Sequence, residues 1–179
     1  MFRDGIPLKA FFSMKIFKLA ILSFVFLFLL VTIISFFLPS HIRITRTQQI
    51  NSTKETVMEE ISDPAKWKNW YPGLDSAELF YIDNIAKGVV QNKKKEQVIL
   101  ITGKKDDEVM TEYRVSGKTK ITGGWKLTAA EGTVMIQWYM TLQVRWYPWE
   151  KFAGLLYERS FATQMKIGLI KLKEKVEVK

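Results

Sequence analysis

The sequence predicts an α+β domain, with an antiparallel sheet wrapped around a long C-terminal helix, after an N-terminal transmembrane helix. Three observations lead to this prediction. Residues 19–38 contain no charge, proline or glycine, residues 41–146 alternate strand-like runs with turns, and residues 149–176 return to a helical period. A terminal helix of that length must bury its apolar face, and the concave face of the sheet is the large apolar surface available to it.

The composition sets limits on the chemistry. The chain has 179 residues, which is enough for one domain with an appendage, and 47% of them are apolar, which argues against disorder. It has no cysteine and one histidine, so we expect no disulfide framework, thiol nucleophile or thiolate-bound metal, and no histidine-rich metal site. No cofactor is predicted, and a net charge of +9 leaves anionic partners open.

The apolar run from Leu19 to Leu38 has the length of a membrane span. Twenty helical residues cover about 30 Å, the thickness of a bilayer core. A buried core helix and a cleaved secretory signal are the alternatives, but the run is longer than the usual signal and has no A-x-A-like site after it. We therefore predict a short basic tail at 1–18, a transmembrane helix at 19–38 and a folded domain at 39–179, in a single-pass membrane protein.

Basic residues on the two sides of this segment predict its orientation. Four precede it, and three follow within the next twenty residues: Arg3, Lys9, Lys15 and Lys18 before it, Arg43, Arg46 and Lys54 after it. Cytoplasmic flanks carry the excess of Lys and Arg, so the larger count favours a cytoplasmic N-terminus and a domain on the non-cytoplasmic side.

The domain begins with one strand and two short helices. His41 to Ile50 alternates isoleucine with polar residues, as in a half-buried strand. Ser52 and Glu55 form an S-x-x-E capping box ahead of a helix. Asp63-Pro64 ends that helix and can start a second one, predicted over Ala65 to Trp70.

A meander of about six strands follows, because short alternating runs are separated by turn residues. The predicted strands are Leu79–Ile82, Gly88–Val90, Gln97–Thr102, Val109–Val115, Lys120–Thr128 and Thr133–Trp146. In the last strand one set of residues should face inward, namely Val134, Ile136, Trp138, Met140, Leu142, Val144 and Trp146. The paired glycines Gly123 and Gly124 are expected to mark a bend or bulge.

The final helix is predicted over Trp149 to Val176, and its apolar stripe is expected to pack on the sheet. The stripe consists of Phe152, Leu156, Met165, Leu169, Leu172 and Val176.

Two stretches of the chain carry a family resemblance. The first is Ile50 to Trp70, with its W-x-x-W sequence from Trp67, and the second is Trp125 to Lys173, with Pro148-Trp149-Glu150. They resemble the START / polyketide-cyclase-like superfamily (SRPBCC), which has the helix-grip fold. The first stretch is similar to the family's first strand and paired helices, and the second to the last strands and terminal helix of membrane-anchored bacterial members. The resemblance spans residues 41–177. It implies binding of apolar molecules, such as lipids, sterols or polyketides, between sheet and terminal helix, and only some branches of the family catalyse a reaction.

Candidates for the pocket are bulky residues of the predicted short helix, strands and terminal helix, with one arginine that could reach the pocket: Trp70, Tyr81, Trp125, Trp138, Met140, Phe152, Leu156 and Arg159. Inward aromatic and methionine side chains serve in core packing more often than in ligand contact. No catalytic residue is predicted, since the sequence contains no G-x-S-x-G elbow, phosphate loop or dinucleotide fingerprint.

A lysine concentration is the candidate membrane surface: Lys93, Lys94, Lys95, Lys104 and Lys105. It lacks interleaved aromatic residues, so nucleic acid is not an expected partner. Contact with anionic lipid headgroups contributes about 1 kcal/mol per basic residue, and a solvated loop is the alternative.

Three functions remain open. The first is membrane-tethered binding of a hydrophobic small molecule or lipid. The second is a cyclase or dehydratase on the same scaffold, which would need a buried acid–base pair. The third is a protein-interaction scaffold whose cavity is filled by its own tryptophans, and no particular protein partner is predicted for it.

Overall fold

The computed structural model describes residues 8–94 and 96–177. Its elements are three α-helices, seven strands and one 3₁₀-helix. In chain order they are α1 (Leu8–Phe36), β1 (His41–Ile50), α2 (Lys54–Ser62), a 3₁₀-helix (Pro64–Asn69), β2 (Glu78–Ile82), β3 (Ile85–Asn92), β4 (Gln97–Lys104), β5 (Glu108–Val115), β6 (Lys118–Ala130), β7 (Thr133–Gln143) and α3 (Pro148–Glu177). The predicted α+β helix-grip architecture is confirmed.

All seven strands belong to one antiparallel sheet in the order β1-β7-β6-β5-β4-β3-β2. We call the end of the sheet nearest α1 the proximal end. His41 pairs with Gln143 there, and the β3–β4 and β5–β6 turns lie at the same end. The β2–β3, β4–β5 and β6–β7 turns lie at the distal end. Helix α3 begins at the proximal end and reaches the distal end, where Glu177 Oε1 accepts a hydrogen bond from the backbone N–H of Asn51.

The core lies between the concave face of the sheet and α3. The isoleucines at positions 42, 44 and 50 of β1 are buried, as their alternation predicts. On α3 the buried residues recur every three or four positions, at Ala162, Met165, Leu169, Leu172 and Val176. The stripe is therefore confirmed from Met165 onward.

From Leu19 onward, helix α1 is apolar around its whole circumference. Met14–Phe36 spans 23 residues with a mean hydropathy of 2.9, long and apolar enough to cross a membrane, although a signal sequence passes the same test. Most of its large side chains are exposed, so it is not a core helix of the domain. The hydroxyls of Thr32 and Ser35 donate hydrogen bonds to backbone oxygens one turn earlier, so both hydroxyls have a partner within the helix. The helix begins at Leu8 rather than Leu19.

Three local predictions are wrong. Strand β7 ends at Gln143, because the chain turns toward Pro148 there, and Trp146 is exposed. The N-cap of α2 is Thr53, whose hydroxyl accepts from the Thr56 amide, not Ser52. The paired glycines pair without a register shift in β6.

Glycine is required at Gly123 for a different reason than a bulge. A Cβ there would clash with the backbone oxygen of Tyr139 in the neighbouring strand.

Candidate ligand-binding cavity

A cavity of about 420 Å³ lies between α3 and the proximal half of the sheet. Strands β3 to β7 supply one wall, α3 supplies the other, and Tyr71, just past the 3₁₀-helix, covers part of it. Its apolar lining consists of Ile99, Ile121, Trp138, Met140, Phe161 and Met165. Because a strand alternates faces, Trp138 and Met140 both point to this side of β7.

The space on one side of this cavity is filled by an aromatic cluster: Trp67, Trp70, Tyr71, Trp125 and Trp138. The rings contact one another mostly edge to face, with Trp125 and Trp138 centroids 5.5 Å apart and Tyr71 and Trp138 centroids 4.8 Å apart. Trp125 and Trp138 are direct cross-strand partners. The tryptophans thus pack the core under part of the sheet and leave the cavity beside them open.

Polar groups of the lining are neutral. The side-chain amides of Gln91, Asn92, Gln97 and Gln164 and the hydroxyl of Thr111 border the cavity. Two phenols join them: burial raises the pKa of Tyr71, and the nearby Tyr113 raises it further; burial also raises the pKa of Tyr113. These tyrosines therefore remain protonated at neutral pH and can donate hydrogen bonds to a ligand.

The cavity continues into a groove along the N-terminal half of α3. This groove of about 720 Å³ shares Gln97, Tyr113, Ile121 and Phe161 with the cavity. It extends past Leu142 and Val144 and reaches the start of the helix. There its lining includes Lys120, Arg145, Trp149, Glu150 and Tyr157. The groove therefore connects the cavity with the proximal end of the domain.

Of the predicted pocket residues, Trp138 and Met140 line the cavity. Trp70 and Trp125 are buried in the aromatic cluster, next to the cavity but not in its lining. Tyr81 is exposed at the distal end of β2. The sequence predicted all five of these side chains to face inward, and only the three-dimensional packing shows which of them border open space.

The three predicted helix residues, Phe152, Leu156 and Arg159, are exposed and lie outside the cavity. Leu156 precedes the buried Met165 by nine residues, which is about two and a half turns, so the two side chains lie on opposite sides of the helix. Phe152 is one turn further from Met165 on the same exposed side. Phe161, which precedes Met165 by one turn, is the lining residue that the same periodicity could have found.

The amides of the lining had no sequence signal. Gln91, Asn92 and Gln97 surround the β3–β4 turn, which the sequence marks only as polar turn material. Tyr113 of β5 lines the cavity, but it was not proposed as a pocket residue.

The lysines do not form one surface. Lys93 and Lys94 lie in the β3–β4 turn at the proximal end, and Lys95 lies outside the described residues. Lys104 is the last residue of β4 and Lys105 follows it, so the eight residues of this strand separate them from the first group by about 25 Å. Lys93 pairs with Glu78 at 2.7 Å. The prediction of a single lysine concentration is wrong because β4 places its two ends at opposite ends of the sheet.

The model of the family described as polyketide cyclase / dehydrase and lipid transport matches residues 41–177, which is the whole domain after α1. The chain belongs to this family. No match was found among the curated proteins. Membership of the polyketide cyclase / dehydrase and lipid transport family agrees with the helix-grip fold and with a cavity between sheet and terminal helix.

Solved structures share the fold at low identity. The Aha1 dimer from Colwellia psychrerythraea is 10% identical, with a TM-score of 0.57 over 76% of this chain and 97% of that chain. A protein of unknown function from Staphylococcus aureus, SA2116, is 13% identical, with a TM-score of 0.58 over 77% and 94%. The di-domain ARO/CYC BexL from the BE-7585A biosynthetic pathway is 13% identical, with a TM-score of 0.57 over 77% of this chain and 50% of that chain. At these identities, the similarity to the three solved structures supports the fold alone.

Proposed function

We propose that this family member binds a hydrophobic, lipid-like ligand in the cavity between the sheet and α3, while α1 anchors the domain to a membrane. The observation that carries the proposal is the cavity itself, which remains open beside a packed aromatic cluster. Its volume of about 420 Å³ falls within the usual range of small-molecule sites.

The lining suits an amphiphile. Apolar side chains such as Ile99, Ile121 and Met165 would remove ligand surface from water at about 25 cal/mol per Å². The amides of Gln91, Gln97 and Gln164 would hydrogen-bond a polar end of the ligand and so orient it. The phenols of Tyr71 and Tyr113 have raised pKa values, which suits hydrogen-bond donors rather than proton-transfer groups at neutral pH.

The anchor is supported by how α1 joins the domain. The helix ends at Phe36 and β1 begins at His41, so no flexible linker separates the span from the sheet. Lys151 of α3 also donates a hydrogen bond to the Leu38 oxygen. A domain attached in this way stays at the membrane surface, on the non-cytoplasmic side by the count of flanking basic residues.

Photo-crosslinking tests the binding. The full chain is reconstituted into liposomes containing a phospholipid with a diazirine in one acyl chain, irradiated, digested and analysed by mass spectrometry. We expect adducts on α1, which contacts lipid in any case, and also on peptides that line the cavity. Adducts confined to α1 would contradict the proposal and favour a scaffold without a lipid ligand.

Strand β7 offers a matched pair of variants. Met140 lines the cavity, whereas Met135 is 45% exposed on the opposite face of the same strand. Met140→Trp should narrow the cavity and reduce cavity adducts at least fivefold, while Met135→Trp should leave them unchanged. Adducts on α1 serve as the internal reference in both variants.

A further inference from the structure

Four large apolar side chains are exposed near the start of α3. Trp146 and Trp149 are each 61% exposed, Leu156 is 74% exposed, and Phe152 is also exposed. Phe152 and Leu156 are four residues apart and therefore share one face of the helix. We call these four residues the proximal patch. A contiguous set of this kind on a small domain marks a contact surface.

The proximal patch is tied to the end of α1. The Lys151 ammonium lies 2.6 Å from the Leu38 oxygen, and the Val144 amide donates to the Ser40 oxygen at 3.0 Å. Lys151 and Val144 flank the tryptophans of the patch in sequence. The patch is therefore held close to the C-terminal end of α1.

The end of α1 also carries exposed aromatic side chains. Phe36 and Phe37 are strongly exposed directly before Leu38. In the domain, Tyr147 stacks on Trp149 of the patch with ring centroids 5.0 Å apart and planes 4° from parallel. Aromatic residues are therefore found on both sides of the contact between Lys151 and Leu38.

The groove from the cavity reaches the same place. Its lining includes Trp149 and Tyr157 at the patch and two exposed cations, Lys120 and Arg145. Glu150 also lines it and accepts a hydrogen bond from the Arg145 amide at 2.9 Å. A channel with aromatic rings at its outer end and cations along its side matches the chemistry of a bilayer interface, where aromatic residues lie among headgroups and basic side chains meet phosphates.

We infer that the proximal patch is a second membrane contact, which inserts into the interfacial layer of the bilayer that holds α1 and places the mouth of the groove against the lipid headgroups. This inference rests on the proposed function for the anchor. It adds the route: a lipid would enter the groove from the leaflet beside α1 and reach the cavity without crossing water.

Tryptophan fluorescence tests the contact, because all six tryptophans lie after residue 66 and none lies in α1. The full chain is reconstituted into liposomes whose phospholipid is brominated near the headgroup, and the fraction of emission quenched is compared with that in unbrominated liposomes. We expect quenching in the wild type and its loss in the Trp146→Phe/Trp149→Phe double variant. Phenylalanine keeps the patch apolar, so the variant removes the reporters without removing the contact.

The other outcomes overturn the inference. Emission that is quenched by aqueous acrylamide but not by brominated lipid would place the patch in water. Shielding from both quenchers, dependent on the protein-to-lipid ratio, would show that a second copy of the chain covers the patch. Unchanged quenching in the double variant would assign the signal to Trp138, which lines the cavity; that result would support ligand binding and contradict the patch contact.

Two controls separate this test from the proposed function. Flotation of the liposomes reports the anchor alone, and failure there would contradict α1 as a membrane span before any fluorescence is measured. For the route, Trp149→Ser and Leu156→Ser should each reduce cavity adducts of the photoreactive lipid threefold or more. Tyr81→Ser is the matched control, since Tyr81 is 57% exposed but lies at the distal end. An equal reduction in all three variants would overturn the route.

Discussion

The side-chain ammonium of Lys151 lies 2.6 Å from the backbone oxygen of Leu38 and is almost completely buried. Leu38 lies two residues past the end of α1, at the negative end of the helix dipole, where a cation is favoured. One lysine of α3 therefore closes the C-terminal end of α1 and joins the two helices.

Replacing this lysine should loosen the junction. Lys151→Met removes a charge-assisted hydrogen bond, whose loss typically costs about 2 kcal/mol. In the full chain we expect protease cleavage between α1 and β1 to become at least tenfold faster, while the melting of the domain changes little. Lys171→Met, on an exposed position of the same helix, should not change the cleavage rate. Equal rates for Lys151→Met and wild type would contradict the coupling.

Two neighbouring tryptophans should differ in their response to phenylalanine. Trp67 Nε1 donates to the Ile61 oxygen at 2.9 Å, whereas Trp70 Nε1 is buried without a hydrogen-bond partner among the described residues. Trp67→Phe leaves a buried carbonyl unpaired, so it should lower the free energy of unfolding by about 1 kcal/mol more than Trp70→Phe. Urea denaturation measures the difference, and similar losses in the two variants would contradict it.

The sequence correctly predicted those features of the fold that depend on local residue patterns. The alternation of β1 identified its buried isoleucines, and the alternation of β7 identified its buried residues Val134, Ile136, Trp138 and Leu142. The predicted apolar stripe of the terminal helix is correct from Met165 onward. Its extension to Phe152 and Leu156 is wrong, because apolar character alone does not show which side of the helix faces the sheet.

The cavity depends on contacts that local patterns do not encode. Gln97 and Tyr113 approach Phe161 only because two hairpin ends and α3 converge, at sequence separations of about 50 residues or more. Volume left open beneath a sheet is a property of the whole packing. For this reason Trp70 and Trp125 could be predicted as buried but not assigned to core or cavity.

Gly168 is expected to tolerate no side chain. A Cβ at this position would lie 2.8 Å from Trp138 Cζ3 and 2.9 Å from Pro72 Cδ. Alanine normally stabilises a helix interior by about 1 kcal/mol relative to glycine, but overpacking costs about 1–3 kcal/mol. Gly168→Ala should therefore lower or at best maintain the melting temperature. Thr163→Ala, exposed on the same helix, provides the reference, and a clear increase for Gly168→Ala would contradict the close packing.

The orientation is tested by protease protection. We expect proteinase K added to intact spheroplasts to digest the domain, because the basic residues favour a cytoplasmic N-terminus. A tag fused at the N-terminus should stay protected until lysis, which controls for leaky membranes. Protection of the domain until lysis would place it on the cytoplasmic side.

Alkaline pH should destabilise the domain through Tyr139. Burial, followed by its 2.7 Å hydrogen bond to Glu108, raises the pKa of Tyr139 from 10.0 to about 12. As the pH rises past 10 the unfolded chain loses this proton first, so the folded state binds more protons and stability falls between about pH 10 and pH 12.

Tyr139→Phe separates the two effects of this phenol. At pH 7 the variant loses the hydrogen bond to Glu108 and should be less stable by about 1 kcal/mol. Between pH 10 and pH 12 its stability should fall less steeply than that of the wild type, so the difference between the two proteins should shrink. Urea denaturation at a series of pH values measures both, with Tyr81→Phe as the surface control. A difference that grows with pH would mean that Tyr139 is ionised more readily in the folded state, which the contact with the Glu108 carboxylate opposes.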